Sequence, residues 1–318
     1  MKYSILFIIC LTGLLNAASK PAYEIEDIKL PKGVDPQIGA LTFMPDGRLL
    51  VGFNYGKVFT YTPETKEWKL FAEGLHLPLG AVALNDREVL IMQRPELTKL
   101  IDRDGDGDAD TYEKAYDSFG LSGNYHEFAF GPTRDAQGNL FIGLNVASNN
   151  GGILSEVRGE FKSFDITQKK LSGEFDKEKI SRMYSCVPYR GWIIKILPDG
   201  TAIPFASGVR SPNGLGFDHK GRLLVSDNQG DWLGTSKLHH VEKGDFLGHP
   251  ASLVWKKGVD KNPMSIPVEE LNKMRKKAAG LFPQGIIANS PTQPLLDSTN
   301  GKFGPFANQM FIGEMNLA

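Results

Sequence analysis

The sequence predicts an all-β fold, a six-bladed β-propeller that is incomplete at the C-terminus of this chain. A pattern of strand, turn and strand occurs four times, and the copies are separated by one or two periods of about 40 to 50 residues. Pro, Asp, Gly and Asn fill the turns, while the flanking strands are short and apolar. A unit of this length that contains four short strands is typical of a propeller blade.

The four copies share one order of residue types. A small residue opens an apolar strand, a polar turn follows, and a second apolar strand completes the copy. The copies are IGALTFMPDGRLLVGF from Ile38, LGAVALNDREVLIMQR from Leu79, HEFAFGPTRDAQGNLFIGL from His126 and NGLGFDHKGRLLVSD from Asn213. We expect Phe43, Ala83, Phe130 and Phe217 to occupy the same place in their blades.

A fifth half-blade, NQMFIGE, is predicted at residues 308–314. Blades pack on their neighbours and the ring must close, so a strand that stops at Ala318 leaves an unpaired edge. We therefore expect the natural protein to continue to six blades. The alternative is an open array of five units that is complete as given.

The N-terminus has the pattern of a secretory signal peptide. Lys2 precedes an apolar run from Ile5 to Leu15, which is too short to span a bilayer, and Asn16-Ala17-Ala18 follows. The predicted domains are thus a signal peptide at 1–18 and a propeller domain at 19–318. The remaining chain keeps one cysteine, Cys186, so an intrachain disulfide is excluded. This combination indicates a periplasmic or secreted protein with no transmembrane segment.

The charge balance argues against a polyanionic partner. The chain has 36 basic and 37 acidic residues and a net charge of -1, so we expect no nucleic-acid partner. Two segments interrupt the blade pattern. The charged stretch from Val146 to Tyr189 is either a lid or a solvated loop. A helix is predicted from Ser265 to Gly280, with Ser265 as its cap.

The sharpest short motif is DRDGDGDADTYE, from Asp102 to Glu113. It fits the calcium-loop pattern of alternating carboxylates, a glycine and a distal glutamate. The flanks are strand-like, so we expect a structural calcium site on a hairpin, with a mobile acidic loop as the alternative. The predicted metal site comprises Asp102, Asp104, Asp106, Asp108, Asp110 and Glu113.

The loops that enter and leave the inner strands concentrate the other candidate site residues. His126 is a potential base, Arg94 and Arg210 are guanidiniums, and Gln93, Asn124, Asn213, Asn228 and Gln229 are amides. Oxidation of an alcohol by a bound quinone needs a base for the hydroxyl proton and cations for the cofactor carboxylates. Residues of these types are predicted to converge at the central channel.

Three blocks around these residues resemble a known family. They are GVRSPNGLGF (208–217), SDNQGD (226–231) and GDFLGHP (244–250), and their order and spacing agree with G-x-R-N-P-Q-G-L-A-F, S-E-Q-G-P and G-x-N-Y-G-W-P. These are blocks of the soluble pyrroloquinoline quinone (PQQ) dependent glucose and aldose sugar dehydrogenases, the glucose/sorbosone dehydrogenase family. Blocks such as SGNYHEFAFG and GHPASLVW resemble even more closely a group of membrane-bound dehydrogenases of planctomycete-type bacteria.

The resemblance implies a fold, a cofactor and site residues. It implies a six-bladed propeller that binds PQQ with calcium, oxidises a sugar or related alcohol and passes electrons to a cytochrome c. His126 corresponds to the catalytic base. The implied cofactor-binding residues are Arg210, Ser211, Asn213, Asn228, Gln229 and Gly230, although Ser211 replaces the family's Asn and Asn213 its Gln.

Three functions remain open at the level of sequence. The first is a periplasmic PQQ-dependent dehydrogenase of a sugar or alcohol. The second is a calcium-dependent lactonase, which the Pro212-Asn213-Gly214-Leu215 block also resembles. The third is a non-catalytic carbohydrate-binding or scaffolding propeller.

Overall fold

The computed structural model of this chain describes residues 23–149, 151–154, 156–162, 183–229, 233–259 and 262–316. It divides the chain into two units, Met1–Val34 and Asp35–Ala318. The described residues of the first unit, 23–34, contain no helix or strand. The predicted signal peptide at 1–18 lies outside the described residues, as does Gly230. Every element named below belongs to the second unit.

Four antiparallel four-stranded sheets, the blades, follow one another along the chain. Within blades one and two each strand pairs with the next, so the hydrogen bonding is local. Blade one comprises β1 (Ile38–Phe43), β2 (Leu49–Phe53), β3 (Val58–Thr62) and β4 (Glu67–Ala72). Blade two comprises β5 (Ala81–Ala83), β6 (Glu88–Met92), β7 (Leu97–Ile101) and β8 (Thr111–Tyr116).

Blade three contains the first insertion, as the sequence predicts. Its strands are β9 (Ala129–Arg134), β10 (Leu140–Leu144), β13 (Trp192–Ile196) and β14 (Ala202–Ser207). Between β10 and β13 the chain forms the short pair β11 (Ala147–Ser148) and β12 (Met183–Tyr184).

Blade four contains the second insertion. Its strands are β15 (Pro212–Phe217), β16 (Leu223–Asp227), β17 (Ser236–Val241) and β18 (Gly280–Phe282). Between β17 and β18 lie two 3-10 helices, Pro250–Trp255 and Pro263–Ser265, and helix α1 (Val268–Met274). The strands β19 (Leu295–Leu296) and β20 (Met310–Phe311) pair beyond blade four, where the sequence predicts a fifth half-blade.

The predicted helix from Ser265 to Gly280 is wrong in both bounds. Ser265 belongs to the preceding 3-10 helix, and Pro267 takes the N-terminal cap position of α1 without a side-chain hydrogen bond. Gly280 is the first residue of β18, which pairs with β17. Pairing with the blade therefore ends the helix six residues earlier than the glycine signal indicates.

One position of the predicted repeat is also wrong. Phe43, Ala83 and Phe217 each pair with the first or second residue of the next strand, close to the hairpin turn. Phe130 instead pairs with Gly143, near the far end of β10. The cause is that β9 continues through Gly131-Pro132, which the sequence pattern counts as the beginning of the turn.

Apolar cores lie between successive blades. Leu50, Phe71 and Ile91 belong to a core that joins blades one and two, and further cores join blades two and three and blades three and four. The first strands of the blades, β1, β5, β9 and β15, contact one another in sequence order, and β15 contacts β19. This is the arrangement of a β-propeller, in which the first strands line a central channel.

The first strands approach their neighbours so closely that several positions need glycine, among them Gly80 and Gly216. Gly80 has a φ of +144°, and a Cβ there would lie 2.1 Å from the carbonyl oxygen of Gly131 in blade three. A Cβ at Gly216 would lie 2.0 Å from the carbonyl oxygen of Pro294. The backbones of neighbouring blades can therefore come this close only because glycine has no side chain.

Candidate functional site

A cavity of about 650 Å³ lies among the first strands of the blades. Its apolar walls include Leu79, Phe128, Phe130 and Leu215. Its polar lining comprises Asn54, His126, Arg210, Ser211, Asn213, Asn228, Ser290, Thr292 and Gln293. Among the described lining residues Arg210 is the one permanently charged side chain, so the cavity has a positive character. We call this cavity the channel.

The structure brings five of the sequence-predicted residues to the channel, whereas Gln93, Arg94 and Asn124 are not among the residues that line it. His126, Arg210, Ser211, Asn213 and Asn228 all line it, although they come from blades three and four. Gln229 is not among the lining residues; its backbone N–H donates to Asn228 Oδ1 (3.0 Å) and to Ser236 Oγ (3.1 Å). Gly230 lies outside the described residues. The catalytic and cofactor-binding roles of these residues stay predictions.

His126 lies on a turn that leads into β9. Its ring stacks on Tyr125, with centroids 4.2 Å apart and an angle of 27° between the planes. The ring of Phe128 lies at 6.1 Å, with an angle of 74° between the planes. The backbone N–H of His126 donates to Asn124 Oδ1 (3.0 Å). The imidazole thus contacts two aromatic rings at the channel wall.

A buried carboxylate that the sequence analysis missed anchors Arg210 and Ser211. Asp227, the last residue of β16, is 1% exposed. Its Oδ1 accepts from the backbone N–H groups of Arg210 (3.0 Å) and Ser211 (2.7 Å). Asp227 therefore fixes the entry into blade four, because two adjacent amides converge on one carboxylate oxygen.

Two side chains of β17, Lys237 and His239, lie close to the other carboxylate oxygen of Asp227. Lys237 Nζ lies 3.6 Å from Asp227 Oδ2, and His239 Nε2 lies 3.9 Å from the same oxygen. Burial lowers the pKa of His239 to about 4, against an opposing effect of Asp227. His239 is therefore neutral at neutral pH, and Lys237 supplies the compensating charge. Adjacent His239 and His240 differ in exposure, since they lie on opposite faces of the strand.

The channel amides are fastened to neighbouring segments. Asn213 Nδ2 donates to the carbonyl of Pro291 (3.1 Å), and Asn228 Nδ2 donates to Ser290 Oγ (3.2 Å). In the same way, Asn145 Nδ2 donates to Ser211 Oγ (2.8 Å). The two pairs, Asn145 with Ser211 and Asn228 with Ser290, join an amide to the serine at the entry of the next sheet.

Asn145 and Ser290 were not among the sequence-predicted residues, although the sequence contains a signal for both. The residue directly after the second strand of each blade is an amide, namely Asn54, Gln93, Asn145 and Asn228. In addition, Ser290-Pro291 repeats Ser211-Pro212 at the entry of the next sheet. An alignment of the repeats by their strand ends, and not only by their turns, reveals both the amide position and the Ser-Pro position.

The acidic loop is the hairpin between β7 and β8. One carboxylate oxygen from each of Asp102, Asp104 and Asp106 lies within 4.8 Å of the others. Asp102 is 4% exposed, and its two oxygens accept from the backbone N–H groups of Gly105 (2.6 Å) and Gly107 (2.9 Å). Three of the six predicted ligands therefore come together.

The other three predicted ligands do not join this group. Asp110 Oδ2 accepts from the backbone N–H of Arg103 (2.7 Å), and Glu113 Oε1 pairs with the Arg103 guanidinium (3.0 Å). Both carboxylates thus interact with Arg103, and Asp108 also lies outside the three-carboxylate group. Calcium binds six to eight oxygens, so the described carboxylates fit the ion only in part.

A family model matches most of this chain. The model is that of a domain of unknown function, DUF7133, and it matches residues 64–283. The chain belongs to this family. The matched range contains β4 of blade one and all of blades two, three and four, including His126 and Arg210. No curated protein matches the sequence significantly.

Several solved structures are similar in fold. The PQQ-bound aldose sugar dehydrogenase of Streptomyces coelicolor is 16% identical, with a TM-score of 0.52 over 81% of this chain and 71% of that one. The apo soluble aldose sugar dehydrogenase of Escherichia coli is 14% identical, with a TM-score of 0.53 over 87% and 80%.

The holo PQQ domain of pyranose dehydrogenase from Coprinopsis cinerea is also similar. It is 11% identical, with a TM-score of 0.55 over 83% of this chain and 68% of that one. These likenesses confirm the all-β propeller fold. Among the described residues, no helix is long and apolar enough to cross a bilayer.

Proposed function

We propose that the channel binds PQQ and that the protein oxidises an aldose or related alcohol. The observation that carries the proposal is the convergence of His126, Arg210, Ser211, Asn213 and Asn228 on one cavity of about 650 Å³. A drug-sized ligand needs a pocket of about 300 to 1,000 Å³, so this volume suffices for a tricyclic quinone beside a sugar. The PQQ-bound aldose sugar dehydrogenase and the PQQ domain of pyranose dehydrogenase, which are similar in fold, support the choice of quinone.

The described channel residues fit an anionic, planar ligand. Arg210 offers a guanidinium for a carboxylate, and Phe128 and Phe130 offer apolar surface for a ring system. Asp227 holds the backbone of Arg210 through Oδ1 and so keeps the guanidinium at the channel. Arg210, Ser211, Asn213 and Asn228 are the residues that would hold the quinone.

His126 is the residue placed to take a proton. A bound quinone supplies the acceptor for the two electrons and the hydrogen of the alcohol C–H bond, while the hydroxyl proton goes to a base. Among the described lining residues, the imidazole of His126 is the side chain whose neutral form can accept a proton, and its ring contacts Tyr125 and Phe128. His126 would therefore accept the hydroxyl proton and the product would be a lactone or a carbonyl compound.

The finer parts of the proposal rest on the sequence. They are the periplasmic or secreted location, the signal peptide at 1–18, a ring of six blades, calcium at the acidic loop and a cytochrome c as electron acceptor. Kinship with the planctomycete-type dehydrogenases has the same status. A structure of the natural protein with calcium tests the blade number and the ion together.

The competing lactonase needs a calcium ion held by a carboxylate in the channel. Among the described residues that line it, no Asp or Glu occurs. The test of the proposal is to reconstitute the protein with PQQ and calcium and to titrate aldoses while following the cofactor absorbance. Bleaching by sugar in the wild type that is lost in His126→Gln supports the proposal. Binding of PQQ without bleaching by any aldose or simple alcohol would refute the assigned reaction.

A further inference from the structure

A short segment of the blade-three insertion runs along the turn that carries His126. We call its described residues, 147–149 and 151–154, the strap. The strap begins with β11, which pairs with β12 of the same insertion. Farther along, the backbone N–H of Leu154 donates to the carbonyl of Ser122 (2.7 Å). The strap therefore contacts the turn before His126 at more than one point.

Asn124 connects the strap to His126. Its side chain is fully buried. Nδ2 donates to the carbonyls of Ser148 (2.8 Å) and Gly151 (3.0 Å), both in the strap. Oδ1 accepts from the backbone N–H groups of Ser148 (3.1 Å) and His126 (3.0 Å). The Asn124 side chain thus binds the strap through both Nδ2 and Oδ1, and it binds the backbone of His126 through Oδ1.

Tyr125 gives a second connection, through its ring. It stacks on the imidazole of His126 at 4.2 Å, and it also lies against Gly151. A Cβ added at Gly151 would lie 2.7 Å from Tyr125 Cδ1 and 3.1 Å from Asn124 Nδ2. A Cβ at the next residue, Gly152, would meet nothing within 4 Å. The two glycines therefore differ sharply in the space that is available for a side chain.

Two buried charged side chains, Glu127 and Arg190, also hold the turn that carries His126. The carboxylate of Glu127 accepts from the backbone N–H and the hydroxyl of Ser122, both at 2.7 Å. The guanidinium of Arg190, which is fully buried, donates to the carbonyls of Glu127 and Phe128, both at 3.0 Å. Arg190 thus holds the backbone that follows His126, while the strap contacts Asn124 and Tyr125, which precede it.

We propose that Asn124 is a positioning residue for His126 and that the strap sets the imidazole orientation through Asn124 and Tyr125. The inference rests on the proposed function, in which His126 is the base. It adds that the rate of proton transfer depends on residues that touch neither cofactor nor substrate. A displacement of a reacting group by about 1 Å can cost about 100-fold in rate.

The first test compares Gly151→Ala with Gly152→Ala in the protein loaded with PQQ and calcium. Single-turnover reduction by an aldose is followed across pH. We expect Gly151→Ala to lower the rate constant at least tenfold, to change its pH profile and to leave the apparent aldose affinity within about twofold. Gly152→Ala should match the wild type in all three. Equal behaviour of the two variants overturns the proposal.

The second test does not depend on activity. Histidine-labelled protein is studied by NMR, with the His126 ring resonances assigned from His126→Gln. Asn124→Asp places an oxygen against the strap carbonyls, and we expect it and Gly151→Ala to move these resonances. Asn139→Asp is the control, because Asn139 is a buried amide in the turn at the other end of blade three, where its Nδ2 donates to Asp135.

The two tests separate the possible failures. If the wild type shows no reduction by any aldose, the proposed function fails, and the NMR test alone decides the positioning. Resonances of His126 that move in Gly151→Ala and Asn124→Asp, but not in Gly152→Ala or Asn139→Asp, support the proposal. Resonances that stay unchanged in the first two variants, or that move equally in all four, overturn it.

Discussion

His239 makes the stability of this propeller depend on pH, and its replacement by leucine should remove that dependence. The imidazole is 1% exposed, and burial lowers its pKa from 6.5 to about 4. Asp227 and Asp245 raise the pKa and Lys237 and Arg275 lower it, but burial is the largest cause. The folded state therefore disfavours the charged ring.

The sign and the size follow from linkage. Between the folded and unfolded pKa values the unfolded chain binds more protons, so stability is lost as the pH falls from 6.5 towards 4. The lowered pKa of His239 corresponds to about 3 kcal/mol when both states are fully protonated. Between pH ~7 and pH ~4.5 His239 should cost about 2 kcal/mol of unfolding free energy.

The assay is urea unfolding of the wild type, His239→Leu and His240→Leu across this pH range. His240 is the matched control, because it is the next residue of β17 and lies on the opposite face. We expect the loss of unfolding free energy between these two pH values to be about 2 kcal/mol smaller in His239→Leu than in wild type and unchanged in His240→Leu. An equal loss in His239→Leu and wild type would refute the assignment.

Three further predictions concern stability. Asp227→Ala removes the acceptor for two backbone amides and leaves Lys237 buried without its partner, so we expect a loss of about 3 to 5 kcal/mol in urea unfolding; a loss below about 1 kcal/mol contradicts this role. If the acidic loop binds calcium, added calcium should raise the melting temperature of wild type and Asp108→Ala but not of Asp106→Ala, whose carboxylate belongs to the three-carboxylate group; an equal shift in all three proteins argues against the site. Gly80→Ala should cost at least 2 kcal/mol more than Gly47→Ala, because both residues have positive φ but only Gly80 faces another carbonyl at the Cβ position; equal losses would show that the contact between blades yields easily.

The repeat in the sequence suffices to predict the blades, because strand pairing within a blade is local. The first two strands of blades one, two and four lie where the apolar strand pattern and the turn residues put them. Phe130 is out of register because Gly131-Pro132, which has the composition of a turn, lies inside β9. Helix α1 is shorter than predicted because Gly280 pairs with Leu238 of the blade. Local composition does not reveal either tertiary constraint.

The loops that form the candidate site could be predicted from the sequence, but the hydrogen bonds that hold its residues in place could not. His126 and Arg210 come to one cavity because each precedes the first strand of its blade, a position that the repeat reveals. Asp227 and Asn124 act on them through backbone amides, and such contacts leave no residue-type pattern at the partner. Glu113 matches the calcium-loop spacing, yet its carboxylate pairs with Arg103, since β8 and its neighbouring loop bring the opposite charges together.

The most direct test of the central claim is the dissociation constant of PQQ, measured by fluorescence quenching in the presence of calcium. Wild type, Arg210→Gln and Lys220→Gln are compared; Lys220 is exposed in the turn between β15 and β16. A charge-assisted contact with a carboxylate contributes about 1.5 to 3 kcal/mol. The account predicts saturable binding by the wild type and Lys220→Gln and at least tenfold weaker binding by Arg210→Gln. Absence of saturable binding by the wild type, or equal affinity in all three proteins, would contradict the channel as a quinone site.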